Sequence, residues 1–307
     1  MFTPLFRAPR RRYSRRRPTL PSVASRLIVF DESKQSRHRI LSVGGIVLDL
    51  ADLPTLEARW EVERQAAGIA PGTPIKYSMK WPDGPEQRER LIAGIGQLPV
   101  QALISLLEDF RPLRMKAPGQ ASRKDAYIQV KAFEWALQRL AGELFVPGSE
   151  TGPHLVMIDG RNDFALFQTA YNKGHTVGWP RLPHHPMPAL RERGFSASLG
   201  ECSNGPIHEI ADLLVSCVTR WADQRCMAQK DGKAADLEEL DRCMRELVHL
   251  FPIGQAGVPP RRCGHSFIVH AGNRTGKELL HDNLDQWAHE LKPPALDLGS
   301  AEDDIPF

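Results

Sequence analysis

The stretch LIVFDES, residues 27–33, joins four apolar residues to two carboxylates and a hydroxyl. A short apolar run of this kind is typical of a buried β-strand, and we expect the strand to cover residues 27–31. Asp31 and Glu32 would then open a polar turn, ESKQSRHR. Carboxylates at such a point either cap the turn or hold a metal ion. The rest of the chain bears on that choice.

Four further apolar runs resemble strands and indicate the topology. ILSVGGIVLDL (40–50) and VQALISLL (100–107) come next, so we expect the first three strands to form an antiparallel meander. The glycine pair at 44–45 allows a bulge or a close backbone approach. The later runs, 153–160 and 194–201, alternate with helices, which favours parallel addition. The sequence therefore predicts an α/β fold with a mixed five-stranded sheet flanked by helices.

Helical spacing of apolar residues divides the remaining chain. We predict helices over 53–68, 86–98, 124–144, 162–174, 206–228, 234–250 and 276–291, and one more strand at 265–270. The apolar stripe of the 206–228 helix is Ile207, Ile210, Leu214, Val218 and Trp221. These elements predict a core over 27–228 with helical insertions. A basic disordered arm, 1–26, precedes it, and a C-terminal extension, 229–307, packs on it, with a flexible tail from about residue 293.

Composition places the chain among ordinary globular proteins. Hydrophobic residues make up 41% of the 307 and charged residues 25%. No apolar run approaches the roughly 20 residues of a membrane span, so we expect no membrane partner. The five cysteines are odd in number and show no CxxC spacing, which predicts free thiols in a reducing cytoplasm. They are Cys202, Cys217, Cys226, Cys243 and Cys263.

Positive charge is concentrated in the N-terminal arm. Residues 1–26 contain eight arginines and no acid, and subtracting these eight charges from the net charge of +3 leaves −5 for everything after them. One interpretation is a flexible arm that contacts phosphates. The other is a solvated leader without a binding role. An acidic body is compatible with nucleic-acid binding, since acids gathered around a metal ion are themselves negative.

Three aspartates far apart in the sequence are candidate metal ligands. Asp31 and Asp159 each follow an apolar strand, and Asp212 lies on the 206–228 helix, with Glu209 and His208 on the same flank. Carboxylates clustered in a partly buried site repel one another unless a cation is present. Mg²⁺ and Mn²⁺ prefer such oxygen ligands. Each acid also has a simpler explanation, as a turn cap or as an exposed position on a helix.

Five short motifs resemble those of one protein family. In order they are VFDES, LSVGGIVLD, PIKYSMKW, VMIDGRND and IHEIADLLVSCVTR. Their order and spacing are similar to the DUF3800 family over roughly residues 27–228. Members of that family are similar to the RNase H-like superfamily and are inferred to be metal-dependent nucleases, common in mobile elements and bacterial defence loci. The resemblance implies an RNase H-like core whose acidic positions are Asp31, Asp159 and Asp212, with Glu32 as the second acid of the first motif.

The chain departs from the family pattern at two places. The family often has Glu two residues before the lysine of its loop, where this chain has Pro74 ahead of Lys76. Its last motif usually reads Gln-x-Ala-Asp, where this chain has Glu209. A fourth carboxylate would come from Glu134 on the central helix, if that residue is not simply an exposed polar position. Lys76 either contacts a phosphate or stabilises developing charge, or is a solvated loop lysine.

The favoured function is hydrolysis of phosphodiester bonds in DNA or RNA with Mg²⁺ or Mn²⁺. Asp31, Asp159, Asp212 and Glu209 would ligate the metal, with Glu32 as an alternative ligand. Lys76 and the arginine arm would position the nucleic-acid backbone without sequence choice, so guidance would come from a protein partner. The alternative is a catalytically silent scaffold that binds nucleic acid or a partner protein.

Two other motifs carry weaker signals. AGNRTGKE (271–278) resembles a phosphate-binding loop, but Ala271 stands at the first glycine and Glu278 where a hydroxyl should hold Mg²⁺. A nucleotide-consuming enzyme acting through Lys277 is therefore a third, weaker hypothesis. PHHP (183–186) lacks helical ligand spacing and is interpreted as a surface loop.

Overall fold

A single six-stranded sheet organises the molecule. The computed structural model describes residues 26–35, 40–108, 121–139, 153–159, 164–176, 196–202, 205–232, 236–252, 266–271 and 279–291. The strands are β1 (Arg26–Gln35), β2 (Ile40–Asp49), β3 (Gln101–Glu108), β4 (Pro153–Asp159), β5 (Ser196–Cys202) and β6 (Phe267–Ala271). Their order across the sheet is β5-β4-β1-β2-β3-β6, which places β1 and its aspartate near the middle.

The strand directions agree with the pattern of connections in the sequence. β1, β2 and β3 form the predicted antiparallel meander. β4 is parallel to β1, and β5 is parallel to β4, as the intervening helices require. The mixed α/β sheet flanked by helices is thus confirmed. β6, from the C-terminal part of the chain, pairs in parallel with β3 and adds a sixth strand at that edge.

The first strand is longer than the apolar run predicts. The prediction of a turn beginning at Glu32 is wrong, because β1 continues to Gln35 and pairs with β2 along its whole length, ending at the Gln35–Ile40 pair. The polar residues stay in the strand because β2 offers a backbone partner to each of them. On its other side, the pairing of β1 with β4 runs to Phe30–Ile158. Asp31 therefore lies just beyond the pairing of β1 with β4, whereas the pairing of β1 with β2 continues to Gln35.

The two glycines of β2 permit a close approach between strands. A Cβ on Gly45 would lie 1.8 Å from the carbonyl oxygen of Val29, and one on Gly44 would lie 2.7 Å from that of Leu103. The pairing of β1 with β2 runs without interruption, so the glycines serve close backbone contact and not a bulge.

Seven helices are described. They are α1 (Leu53–Ala66), α2 (Pro85–Gly96), α3 (Ala121–Arg139), α4 (Phe164–Thr176), α5 (Pro206–Asp231), α6 (Leu237–Leu247) and α7 (Leu279–Glu290), with 3-10 turns at Leu50–Asp52 and Val248–Leu250. Proline in the first turn begins α1, α2 and α5, where its missing N–H has no cost. α5 ends at Gly232, whose φ of 65° is the left-handed conformation that glycine adopts readily.

The helices cover the two faces of the sheet unequally. α3 and α4 pack on one face, where Phe133 makes edge-on ring contacts with Phe30 and Phe167. α1, α2, α5, α6 and α7 share the other face and the larger hydrophobic core. The predicted stripe of α5 is confirmed, since Ile210, Leu214, Val218 and Trp221 are fully buried and Ile207 is half-buried. Among the described helices, none has the length and apolar character needed to cross a membrane.

Candidate functional site

Two of the predicted aspartates meet in the centre of the molecule. Asp31 of β1 is only 1% exposed, and its carboxyl group forms a side-chain hydrogen bond with Asp212 of α5. Burial raises the pKa of Asp31 well above its usual value, and the charges of Glu32 and Asp212 raise it further. The amide of Glu32 donates a 2.8 Å bond to Oδ1 of Asp31 and lowers that pKa in part. Asp31 therefore binds a proton more tightly than an exposed aspartate does.

Asp212 also binds the lysine-containing loop between α1 and α2. Its Oδ2 accepts a 2.7 Å hydrogen bond from the amide of Tyr77. Since Tyr77 is the neighbour of Lys76, the same carboxylate that touches Asp31 sets the position of the loop backbone. The sequence did not indicate this contact, because the two residues lie 135 positions apart.

Glu209, whose spacing from Asp212 suggested a metal ligand, forms hydrogen bonds with α1 and with the loop between α1 and α2. Its Oε2 accepts hydrogen bonds from the guanidinium of Arg64 and from Trp60 Nε1, the latter at 3.1 Å, and its Oε1 accepts a 3.1 Å bond from the amide of Ile75. Arg64 is 4% exposed, so the ion pair is buried. Because both oxygens are engaged and the charge is neutralised, we assign Glu209 to holding the loop and no longer to ligating a metal.

Arg64 of α1 also holds the loop, and we call its contacts, together with those of Glu209 and Trp60, the brace. Its Nη2 donates a 2.7 Å bond to the carbonyl of Thr73, and its Nε lies 3.4 Å from Glu61. The guanidinium thus joins the first half of the loop to Glu209. Sequence reasoning missed Arg64 and Trp60; the available signal was their spacing of four residues on one helix, which places both on the buried side of α1.

The third aspartate is located by its backbone. Asp159 is the last residue of β4 and pairs with Cys202 of β5. Because Phe30 pairs with Ile158, Asp159 and Asp31 each lie one residue beyond the same pair. The backbones of the two aspartates are therefore level on adjacent strands. The side chain of Asp159 lies outside the residues whose side chains the structure describes.

Three other candidates are placed around this centre. Glu32 is half-buried in β1, where strand alternation directs it to the sheet face opposite Asp31. Glu134 lies on α3, across the sheet from α5, and its carboxylate is 2.5 Å from Lys131 Nζ. It is therefore not brought to the Asp31–Asp212 pair. Lys76 is exposed at the surface of the loop that Asp212 holds.

Hydroxyl groups continue the polar contact between α5 and the sheet. Ser216 donates to Ser33 at 3.3 Å, and Ser42 lies 2.5 Å from Thr219. Asp212, Ser216 and Thr219 are spaced by four and three residues, the periodicity of one helix face. This spacing in α5 was the sequence signal for the row. Along this helix face Ser216 and Thr219 are buried against β1 and β2, and Asp212 is half-buried.

The described residues contain part of the proposed metal-ligand set. Among the described residues, no group of three or more His, Cys, Asp or Glu side chains is arranged to hold a metal ion. The described part of the proposed ligand set is the pair Asp31 and Asp212. The arm 1–25, the PHHP loop and Lys277 lie outside the described residues.

The chain was compared with models of known protein families and with curated proteins, and it matches none of either. The resemblance to DUF3800 therefore stays a prediction that rests on the five motifs.

Proposed function

We propose that the protein is a metal-dependent nuclease that hydrolyses phosphodiester bonds of DNA or RNA. The observation that carries the proposal is the contact between the buried Asp31 and the half-buried Asp212 at the point where β1 and β4 stop pairing. Two adjacent carboxyl groups, one of them buried, are unfavourable for folding unless one stays protonated or a cation neutralises them. A divalent cation bound at this site would neutralise the two carboxyl groups and so account for their proximity.

The donor set fits Mg²⁺ or Mn²⁺ in part. Asp31 and Asp212 supply carboxyl oxygens, which these ions prefer. Asp159 is the third proposed ligand, because its backbone is level with that of Asp31 on the next strand. Glu209 is excluded by its bonds to Arg64, Trp60 and the Ile75 amide. When bound, a divalent cation supplies positive charge that lowers the pKa of water and offsets charge on the phosphodiester.

The residues of the chain have separate tasks in this proposal. Asp31 and Asp212 would hold the cation through their carboxyl oxygens, and a proton on Asp31 would pass to solvent as the cation binds. Glu209 and Arg64 hold the loop backbone through the Ile75 amide and the Thr73 carbonyl. Asp212 holds it through the Tyr77 amide. Lys76, exposed between these two backbone bonds, contacts the substrate phosphate. The hydrogen bond between Tyr77 and Asp212 thereby links the position of the loop to the carboxyl pair.

The five strands β1–β5 support an RNase H-like core of the DUF3800 type. They consist of a three-stranded antiparallel meander followed by two parallel strands, with β1 in the middle of the five. An aspartate near the centre of such a sheet meets an aspartate of the helix that follows the last of the five strands. We further propose a cytoplasmic setting, in mobile elements or phage defence, where a partner protein directs cleavage.

A non-enzymatic scaffold is the second candidate. Asp31 is 1% exposed, and Pro74 replaces a carboxylate of the family pattern. Both observations favour a core that kept its carboxyl pair as a protonated structural contact. Such a protein would bind nucleic acid or a partner without any requirement for a cation.

Cleavage assays separate the two candidates. Single- and double-stranded DNA and RNA are incubated with the full chain and Mn²⁺, with Asp31→Asn and Asp212→Asn as site variants and the exposed Asp49→Asn as control. A nuclease requires cleavage by wild type and by the control, and loss of cleavage in both site variants. Binding that persists in EDTA and in both variants, without cleavage by wild type, establishes the scaffold. A Mn²⁺-dependent rise in melting temperature provides a readout independent of turnover.

A further inference from the structure

The loop between α1 and α2 alternates between buried and exposed side chains. Ile75, Tyr77 and Trp81 are 2%, 6% and 8% exposed, and they point into the larger core. Lys76, Ser78 and Lys80 occupy the positions between them and are exposed. The segment therefore presents a lysine, a hydroxyl and a second lysine to solvent. We call these three residues the lysine ridge.

The lysine ridge rests on a backbone that is fixed at several points. Glu209 accepts from the Ile75 amide at 3.1 Å and Asp212 from the Tyr77 amide at 2.7 Å. Trp81 Nε1 donates to the Tyr77 carbonyl at 3.2 Å, and the Met79 amide donates to the Lys76 carbonyl at 3.1 Å. These bonds order the backbone before any ligand arrives, which reduces the entropy lost on binding.

The Tyr77 side chain adds a further anchor beneath the ridge. Arg88 lies over its ring, with the guanidinium carbon 4.8 Å from the ring centroid, and Arg88 itself pairs with Glu239 of α6. The ring is thus enclosed by α2 and its neighbours. If the loop shifted by one residue, the buried Tyr77 ring would face solvent. The ring therefore fixes which side chains of the loop are exposed.

The charges of the ridge are available to a ligand. Within the described part of the chain, Lys76 and Lys80 form no ion pair, whereas the nearby cations Arg64 and Arg88 are both paired with carboxylates. The two unpaired cations lie on the loop whose backbone Asp212 holds through the Tyr77 amide. They attract anions to this loop.

We propose that Lys80 is a second phosphate-binding residue, and that the lysine ridge binds two phosphates of one nucleic-acid strand. The inference rests on the proposed nuclease function and extends it to a residue outside the motif centred on Lys76. The two lysines are four positions apart, so their Cα atoms are at most about 14 Å apart. Two separated cations on a fixed backbone suit a chain of phosphates better than one isolated phosphate. Contacts of this kind give affinity without sequence choice.

The experiment measures the salt dependence of binding. A fluorescein-labelled single-stranded DNA, and the RNA of the same sequence, are titrated with full-length protein in EDTA at several salt concentrations. Each phosphate contact contributes about 0.7 to the slope of log K against log salt for single strands. Lys80→Gln and Lys76→Gln should each lower the slope by about 0.7, and the double variant by about 1.4. The DNA and RNA arms show which backbone the ridge prefers.

The control is a lysine that lies on α5, as Asp212 does, but far from the site. Lys230 is 55% exposed and lies 18 residues beyond Asp212 on α5, or about 27 Å along the helix axis. Lys230→Gln should leave the slope unchanged. Ser78→Asp places a negative charge between the lysines and should weaken binding several-fold more than Ser78→Ala. The ridge side chains are exposed and form no ion pair among the described residues, so their variants should keep the wild-type melting temperature. Lys230 pairs with Glu108 at 3.7 Å, so Lys230→Gln serves as a control for the slope alone.

The outcomes separate the inference from the function it extends. If wild type binds nucleic acid and cleaves it, but Lys80→Gln retains the wild-type slope, the role of Lys80 is refuted while the nuclease stands. If Lys80→Gln and Lys230→Gln lower the slope equally, the ridge is no different from any surface charge and is also refuted. If wild type neither binds nor cleaves, the function and the inference fail together.

Discussion

The amide of Tyr77 donates a 2.7 Å hydrogen bond to Oδ2 of Asp212, whose carboxyl group also bonds to that of Asp31. One side chain therefore connects a surface loop to a buried acid on the central strand. Any change in the charge of the carboxyl pair acts on the hydrogen bond that positions the loop. Binding of the proposed cation would therefore be coupled to the position of Lys76 through Asp212.

Replacing Asp31 by asparagine should stabilise the protein at neutral pH. The raised pKa means that the folded state binds the proton more tightly than the unfolded chain. The free energy of unfolding therefore falls as pH rises from about 4, the unfolded pKa, toward the folded pKa. The asparagine side chain cannot ionise, and its amide can donate to Asp212 as the protonated acid does.

We expect Asp31→Asn to gain about 1–3 kcal/mol at pH 8, the range for relieving an imperfectly satisfied buried group. The gain should disappear below about pH 4, where Asp31 is protonated in both states. Urea denaturation across this pH range measures it. A variant that is less stable than wild type at pH 8 contradicts the assignment of a strained carboxyl pair. Mn²⁺ should raise the melting temperature of wild type only.

Replacing Glu209 by glutamine should destabilise the fold strongly. The change leaves the buried guanidinium of Arg64 without its carboxylate, and removing one partner of a buried ion pair costs about 3–5 kcal/mol. Arg242→Gln is the matched control. Its pairs with Glu89 and Glu238 are near the surface and are worth less than about 1 kcal/mol.

Hydrogen exchange gives a second readout of the same brace. In Glu209→Gln the amide of Ile75 should lose protection sooner than amides of the sheet, because its acceptor is weakened. Uniform loss of protection throughout the molecule would instead show a global effect and no specific hold on the loop.

Asp223 should make stability depend on pH in the same direction as Asp31. It is 1% exposed, and burial raises its pKa to about 7, although Arg220 and Lys230 act to lower it. The folded state binds the proton more tightly, so stability is lost as pH rises from about 4 to about 7. Asp223→Asn should therefore gain at most about 4 kcal/mol at pH 8 and nothing at pH 4.

Asp241 is the opposing control for that measurement. It accepts a 2.8 Å bond from Trp221 Nε1 and two 2.9 Å bonds from Arg225 Nη2. Asp241→Asn should lose about 1–3 kcal/mol. Equal effects of the two substitutions would show that the protonation of Asp223 does not govern the pH dependence.

The buried thiols should be unreactive in the folded protein. Cys217, Cys226 and Cys243 are free and buried, as the odd cysteine count predicted for them. A hydrogen bond to Cys243, and burial, raise the pKa of Cys217, and burial raises that of Cys226. Since the thiolate is the reactive form, a disulfide reagent at pH 8 should modify these three only at the rate of unfolding. Peptide mass spectrometry identifies the sites, and rapid modification of any of the three contradicts their described burial.

Local patterns predicted the elements and part of the site. The meander and the parallel additions followed from the order of strands and helices, and the apolar stripe of α5 from its spacing. Polar residues 32–35 misled the prediction because strand formation there depends on β2 and not on local preference. Asp31 and Asp212 were predicted as neighbours, while the brace of Arg64 and Trp60 was not.

Apart from residues 32–35, the choice of strand or helix in the described segments could be read from the chain, because hydrophobic periodicity acts over a few neighbouring residues. The same patterns placed aspartates on a central strand and on the helix that packs against it. Which carboxylate is neutralised became clear from the folded molecule alone. The charge of Glu209 is balanced by Arg64 in an ion pair, whereas burial and the charge of Asp212 raise the pKa of Asp31. Electrostatic energy depends on distances between groups far apart in sequence, and folding sets those distances.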